Sequence, residues 1–175
     1  AAAVKLNGTL VAGGDVASGF DYGGPLFRFG AQGRVVYAAD QDVDELVELF
    51  GVPIDGSAAP VRLSGALAPG GEVAVPFELS ADGGSVIFAA DALQDDLVEL
   101  FSAPLDASRP PQRISGPMVP GGSVLLDHGF LVSPDGERVV YRARQNSPLS
   151  ELYAGFLSFT RGPRGSGAPT RSVTR

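Results

Sequence analysis

The chain has a single histidine, His128, in the run L125-L-D-H-G-F, so any Ser-His-Asp catalysis would have to use it. Asp127 adjoins it, and Ser123 and Ser133 lie nearby. Neighbours on an extended segment point to opposite faces, which leaves Asp127 poorly placed to orient the imidazole. His128 therefore reads as a turn residue entering a strand. One histidine also excludes multi-histidine zinc centres, and zero cysteines exclude disulfides, thiolate metal sites and a cysteine nucleophile.

Carboxylates offer more. The segment A39-D-Q-D-V-D-E sets Asp40, Asp42 and Asp44 at alternating positions, the D-x-D-x-D opening of a calcium loop. Hard oxygen ligands at that spacing can converge on Ca²⁺ when the loop curls. Position six is Glu45 rather than glycine, so the competing reading is a solvated acidic hairpin tip. Calcium is the one cofactor the residues suggest. The remaining acids supply no isolated pair for glycoside chemistry. Most recur with a fixed period (Glu48 and Glu99, Asp55 and Asp106, Asp40 and Asp91), whereas catalytic residues break periodicity. Lys5 is the only lysine and no phosphate-binding loop motif occurs. No residue stands out as catalytic, and the expectation is a non-enzyme.

Charge narrows the partners. The net charge is −7, yet four arginines (Arg161, Arg164, Arg171, Arg175) follow Thr160 without any acid, leaving −11 on residues 1–160. A body that acidic repels phosphate backbones, so nucleic acid is not an expected partner. The tail over 158–175 reads as a solvated Arg/Gly/Ser/Pro terminus. No run approaches the roughly 20 apolar residues of a membrane-spanning helix. No targeting segment is visible and the first residue is not methionine, which suggests processing or a piece of a longer chain.

The elements that position these residues come from a repeat. Laid over Phe88–Val124 at an offset of 51, Tyr37–Val73 is identical at 20 of 37 positions without a gap. K5-L-N-G-T-L-V-A-G-G-D-V-A continues the frame of R62-L-S-G-A-L-A-P-G-G-E-V-A, and F130-L-V-S-P-D-G-E-R-V-V-Y that of F77-E-L-S-A-D-G-G-S-V-I-F. The units fall at about 1–26, 27–76, 77–129 and 130–157, a sum of three. Each predicts four strands, as in residues 73–80, 85–89, 97–103 and 112–115 of the second copy. The glycine and proline content (24 and 14 residues) supplies the turns between them. In D42-V-D-E-L-V-E-L-F, Val43, Leu46, Val47 and Phe50 also fit a helical stripe, but Pro148 and Ser150 in the third copy favour a strand.

Four short strands in tandem make the blade of a β-propeller. F130-L-V-S-P-D-G-E-R-V-V-Y resembles the repeat signature of TolB-type, Trp-Asp-repeat-like propellers, with E151-L-Y and V52-P-I-D-G-S similar to its continuation. G30-A-Q-G and A81-D-G-G depart from the S-P-D-G turn. The resemblance spans about residues 4–157. It implies an all-β fold of about three four-stranded antiparallel blades, a partial propeller or half of a six-bladed ring. It also implies a periplasmic or extracellular setting and a binding or scaffold role toward a protein or peptide. Other roles compatible with it are the propeller part of a larger peptidase or hydrolase and a calcium-stabilised repeat of a surface protein. Three blades leave two open faces, and the chain starts on a fourth-strand sequence, Val4–Asn7. Two copies could join head to tail, each donating that strand to the other's last blade; a longer propeller chain is the rival explanation.

Overall fold

The computed structural model describes residues 3–17 and 27–157, apart from the side chains of Pro76 and His128. Apolar alternation and turn chemistry fold the chain into three antiparallel sheets stacked face to face. Blade 1 is β1 (Phe27–Phe29), β2 (Arg34–Ala39), β3 (Glu48–Pro53) and β4 (Val61–Arg62), hydrogen-bonded in that order. Blade 2 repeats it with β5 (Val73–Leu79), β6 (Ser85–Ala90), β7 (Glu99–Pro104) and β8 (Gln112–Arg113). Blade 3 has β9 (Val124–Val132), β10 (Arg138–Ala143) and β11 (Glu151–Phe156), and no fourth strand among the described residues. The chain is thus all-β and built of propeller blades. The 158–175 tail lies outside the described residues.

Stacking explains the sequence pattern. In β6 every residue is buried, because Val86, Phe88 and Ala90 face blade 1 while Ile87 and Ala89 face blade 3. A strand with a neighbour on both faces has no polar side to show. One core joins blades 1 and 2 through Leu49, Leu63, Phe77, Phe88 and Leu105, and a second joins blades 2 and 3 through Leu100, Phe130 and Tyr141.

Each blade carries the same stacked aromatic pair on β-neighbours: Tyr37 with Phe50, Phe88 with Phe101, Tyr141 with Tyr153. The outer blades add a polar latch. Tyr37 donates its hydroxyl to Gln41 Oε1 at 2.8 Å, and the same oxygen accepts the Gly8 N–H. Tyr141, Gln145 and Gly116 repeat the arrangement. Blade 2 has Phe88 and Ala92 at those positions, which leaves it without that side-chain latch. Burial pushes the Tyr37 hydroxyl up to about 12, which keeps it a donor.

The stripe at 42–50 is no helix, in keeping with the strand reading: Glu45 takes φ +62, the backbone turns, and β3 starts at Glu48. Asp96 does the same in blade 2 with φ +63. Unit boundaries at 77 and 130 cut through β5 and β9, since each first strand is interrupted partway. Three residues oppose one between Ala74 and Glu78, and 126–129 loop out between Leu125 and Phe130. In blade 1, Val16 pairs with Ala39 and the ladder resumes at Phe27; residues 18–26 lie outside the described ones. Val4–Asn7 forms no ladder among the described residues.

Candidate functional site

The acidic turn does not gather its carboxylates. Asp40 accepts the Asp15 N–H on Oδ1 and the Glu45 N–H on Oδ2, and those amides hold its carboxyl below the usual range. Asp91 does the same work in blade 2, receiving the Glu72 and Asp96 amides. Asp42 instead pairs with Arg62 at 2.6 Å, and Asp44 packs its carboxylate beside Gly13. Of Asp40, Asp42 and Asp44, the first is a turn cap occupied by the backbone it folds. No group of three metal-ligating side chains converges among the described residues.

The nucleophile set is not assembled either. Asp127 pairs with Arg142 at 2.8 Å, Ser133 hydrogen-bonds Asp135 in its turn, and Ser123 donates to main-chain carbonyls. His128 lies in β9, with its side chain outside those described. Buried charge goes to the framework. Glu48 and Glu99 are almost fully buried and meet Arg62 and Arg113 at 3.0 and 2.8 Å. The second oxygen of each has no hydrogen-bond partner among the described residues. Desolvation accordingly raises the Glu48 carboxyl, ahead of the opposing pull of Arg62.

A groove of ≈ 350 Å³ lies between the outer turns of blades 1 and 2. Gln32 and Arg34 line one wall, and Asp82, Asp106, Ser108 and Arg109 line the other. The turns that shape it are hairpin ends. In blade 3 the turn is S-P-D-G: Ser133 and Asp135 bond the following amides, and Gly136 takes φ +71. Gly83 holds that position in blade 2 with φ +67. Blade 1 puts Gln32 there, at φ +57. A side chain in the left-handed region is strained, and here it projects into the groove.

Across the groove Ala107 also has positive φ, +52, where blade 1 has Gly56. The Ser108 hydroxyl and amide hold the Asp106 carboxyl below its ordinary value, and the Arg34 guanidinium on the facing blade adds to that. Arg109 falls where blade 1 has Ala58. Arg34 on blade 1 thus faces two anions and a second cation, Asp82, Asp106 and Arg109, on blade 2.

Comparison with known proteins yields little beyond architecture. No family model matches the chain, and no curated protein matches it. Among solved structures it is similar to one titled "The structure of putative TolB from Agrobacterium tumefaciens", with a TM-score of 0.46 and 14% identity. That match covers 70% of this chain and 38% of the other, so this chain spans well under half of that protein's length.

The groove was not anticipated from sequence. Its one early signal was G30-A-Q-G, the departure from the S-P-D-G turn, which placed a glutamine where the fold wants glycine.

Proposed function

We propose that this chain is a non-catalytic binding module whose stacked blades present the groove between blades 1 and 2 to a protein or peptide partner. Gln32 carries the reading: a non-glycine residue held at positive φ, on the wall of a recess lined by both charge signs. Strain of that kind persists only when the surroundings enforce it, and it clusters at ligand clamps. An extended peptide offers matching groups, since its amides and side chains carry donors, acceptors and both charges. The framework supports this use by spending its buried carboxylates on repeat-forming ion pairs and turn caps. A periplasmic or extracellular setting is part of the proposal and rests on the resemblance of residues 130–141 alone.

Selection of a displayed random-peptide library against the 175-residue chain tests it. Enriched peptides should lose about tenfold in affinity, near 1.4 kcal/mol, in both Gln32→Gly and Arg109→Ala. Peptides that bind both variants unchanged would overturn the reading.

A further inference from the structure

The two ends of the blade stack are built as halves of one more blade interface. On the outer face of blade 1, the recess lined by Val16, Phe27, Phe29, Tyr37 and Ile54 has a volume of ≈ 280 Å³. The same positions in blade 2 are Val73, Phe77, Leu79, Phe88 and Leu105, and there they pack in the core against blade 1. Leu105 is 3% exposed, Ile54 46%. Blade 3 mirrors this on its own outer face. Leu49 and Leu100 are fully buried against the next blade, while Leu152, at the same register position, is 72% exposed. Arg138 and Arg142 on that face already have partners, the Phe156 ring and the Asp127 carboxylate.

The edges match as well as the faces. Residues Lys5-Leu6-Asn7-Gly8 repeat Arg62-Leu63-Ser64-Gly65 and Arg113-Ile114-Ser115-Gly116. Leu6 packs on blade 1 as Leu63 packs on blade 2, and Gly8 is latched to Gln41 as Gly116 is to Gln145. Val4 and Lys5 therefore stand where a fourth strand would end. In blades 1 and 2 that strand pairs Arg62 with Phe50 and Arg113 with Phe101, and its arginine reaches Glu48 or Glu99. Blade 3 keeps the receiving parts: Tyr153 in place of the phenylalanines and Glu151, exposed, in place of the glutamates. Lys5 is the cation at the position of Arg62 and Arg113, and Glu151 accepts the Tyr153 hydroxyl.

From these correspondences we infer that a second copy of this chain docks there. Val4–Lys5 of one copy becomes the fourth strand of the other's blade 3. Lys5 lies opposite Tyr153, Val4 lies opposite Ala154, and the Lys5 ammonium meets the Glu151 carboxylate. Asn7 faces the Leu152 amide, as Ser64 and Ser115 Oγ accept the Leu49 and Leu100 amides. The contact is heterologous and closes with two copies when each fills the other's edge. It stands independently of the peptide groove, which lies within one copy.

The absence of cysteine makes the test clean. Val4→Cys/Ala154→Cys should oxidise to a covalent two-copy species, twice 17.9 kDa, whereas Val4→Cys/Leu152→Cys, out of register, should not. By light scattering the unmodified chain should be a dimer. Lys5→Glu or Glu151→Lys should each weaken association by about tenfold or more, and the double reversal should restore it. Circular dichroism of each variant confirms the blades remain folded. A monomer at 100 μM (roughly the range where contacts near −5.5 kcal/mol saturate), a disulfide within one chain, or a ladder of higher multimers would overturn the inference. So would a monomer whose 151–156 amides resist hydrogen exchange, because another segment of the same chain would then own the edge.

Discussion

Gln32 and Glu48 bear strain of different kinds, and substitution separates them. Gln32→Gly removes a left-handed side chain and also loosens the unfolded chain. The first effect outweighs the second, so stability should rise by about 1 kcal/mol in urea unfolding. Glu45→Gly, at φ +62 away from the groove, is the matched control: a similar gain with peptide binding intact. Glu48 is strained electrostatically. Its carboxyl keeps its proton to a higher pH in the fold than in the unfolded chain, where 4.5 is the ordinary value. The unfolded state therefore releases that proton first, and folding loses stability as pH climbs from about 4.5 through the raised value. Glu48→Gln keeps an acceptor for Arg62 and should gain on the unmodified protein over that interval. Thermal melts at pH 4 and pH 7 should show the difference moving toward the variant; a shift the other way means that the Arg62 pair outweighs burial.

Within a blade, cost depends on which neighbour is present. Leu100→Ala opens a cavity between β7 and blade 3 and should cost about 2–5 kcal/mol. Leu152→Ala, at the same register, should cost under about 1 kcal/mol in a lone copy and markedly more in the assembled form. Denaturant titration at low and high protein concentration distinguishes the two. This element logic was largely legible in the sequence, because a 51-residue offset with shared turn residues fixes strand order and the middle-strand burial of β6. What escaped were departures from ideal backbone. Periodicity showed a stripe at Val43–Phe50, but nothing in residue type marks Glu45 as left-handed. The interrupted first strands escaped for a related reason: a bulge changes register without changing composition. The D-x-D-x-D motif does not show the capping role of Asp40, because aspartate is a good ligand type and an equally good cap, and the backbone amides of Asp15 and Glu45 bond to it.

Across the molecule, stability should follow the count of stacked faces. A blade too small to bury its own sheet depends on nearest neighbours, so the stack behaves as a short one-dimensional chain of coupled units. Blade 2 is covered on both sides by cores that include Phe88 and Leu100; blade 1 has a smaller cluster of Val35, Tyr37, Ala39, Phe50 and Val52 with Leu6 on its outer side, and blade 3 has one covered side. Hydrogen exchange should therefore be slowest in β6, whose amides open only when both interfaces fail. It should be fastest in β11, where an outer edge and an outer face coincide. A two-copy ring removes that asymmetry, since β11 then gains a strand and a facing sheet, and its exchange should slow toward that of β3 and β7. Diluting the protein through its dissociation range makes the comparison within one sample: β11 amides accelerate on dilution while β6 amides hold. Equal exchange of β6 and β11 at every concentration would mean that the blades unfold as one block, and that stacking is not the unit of stability.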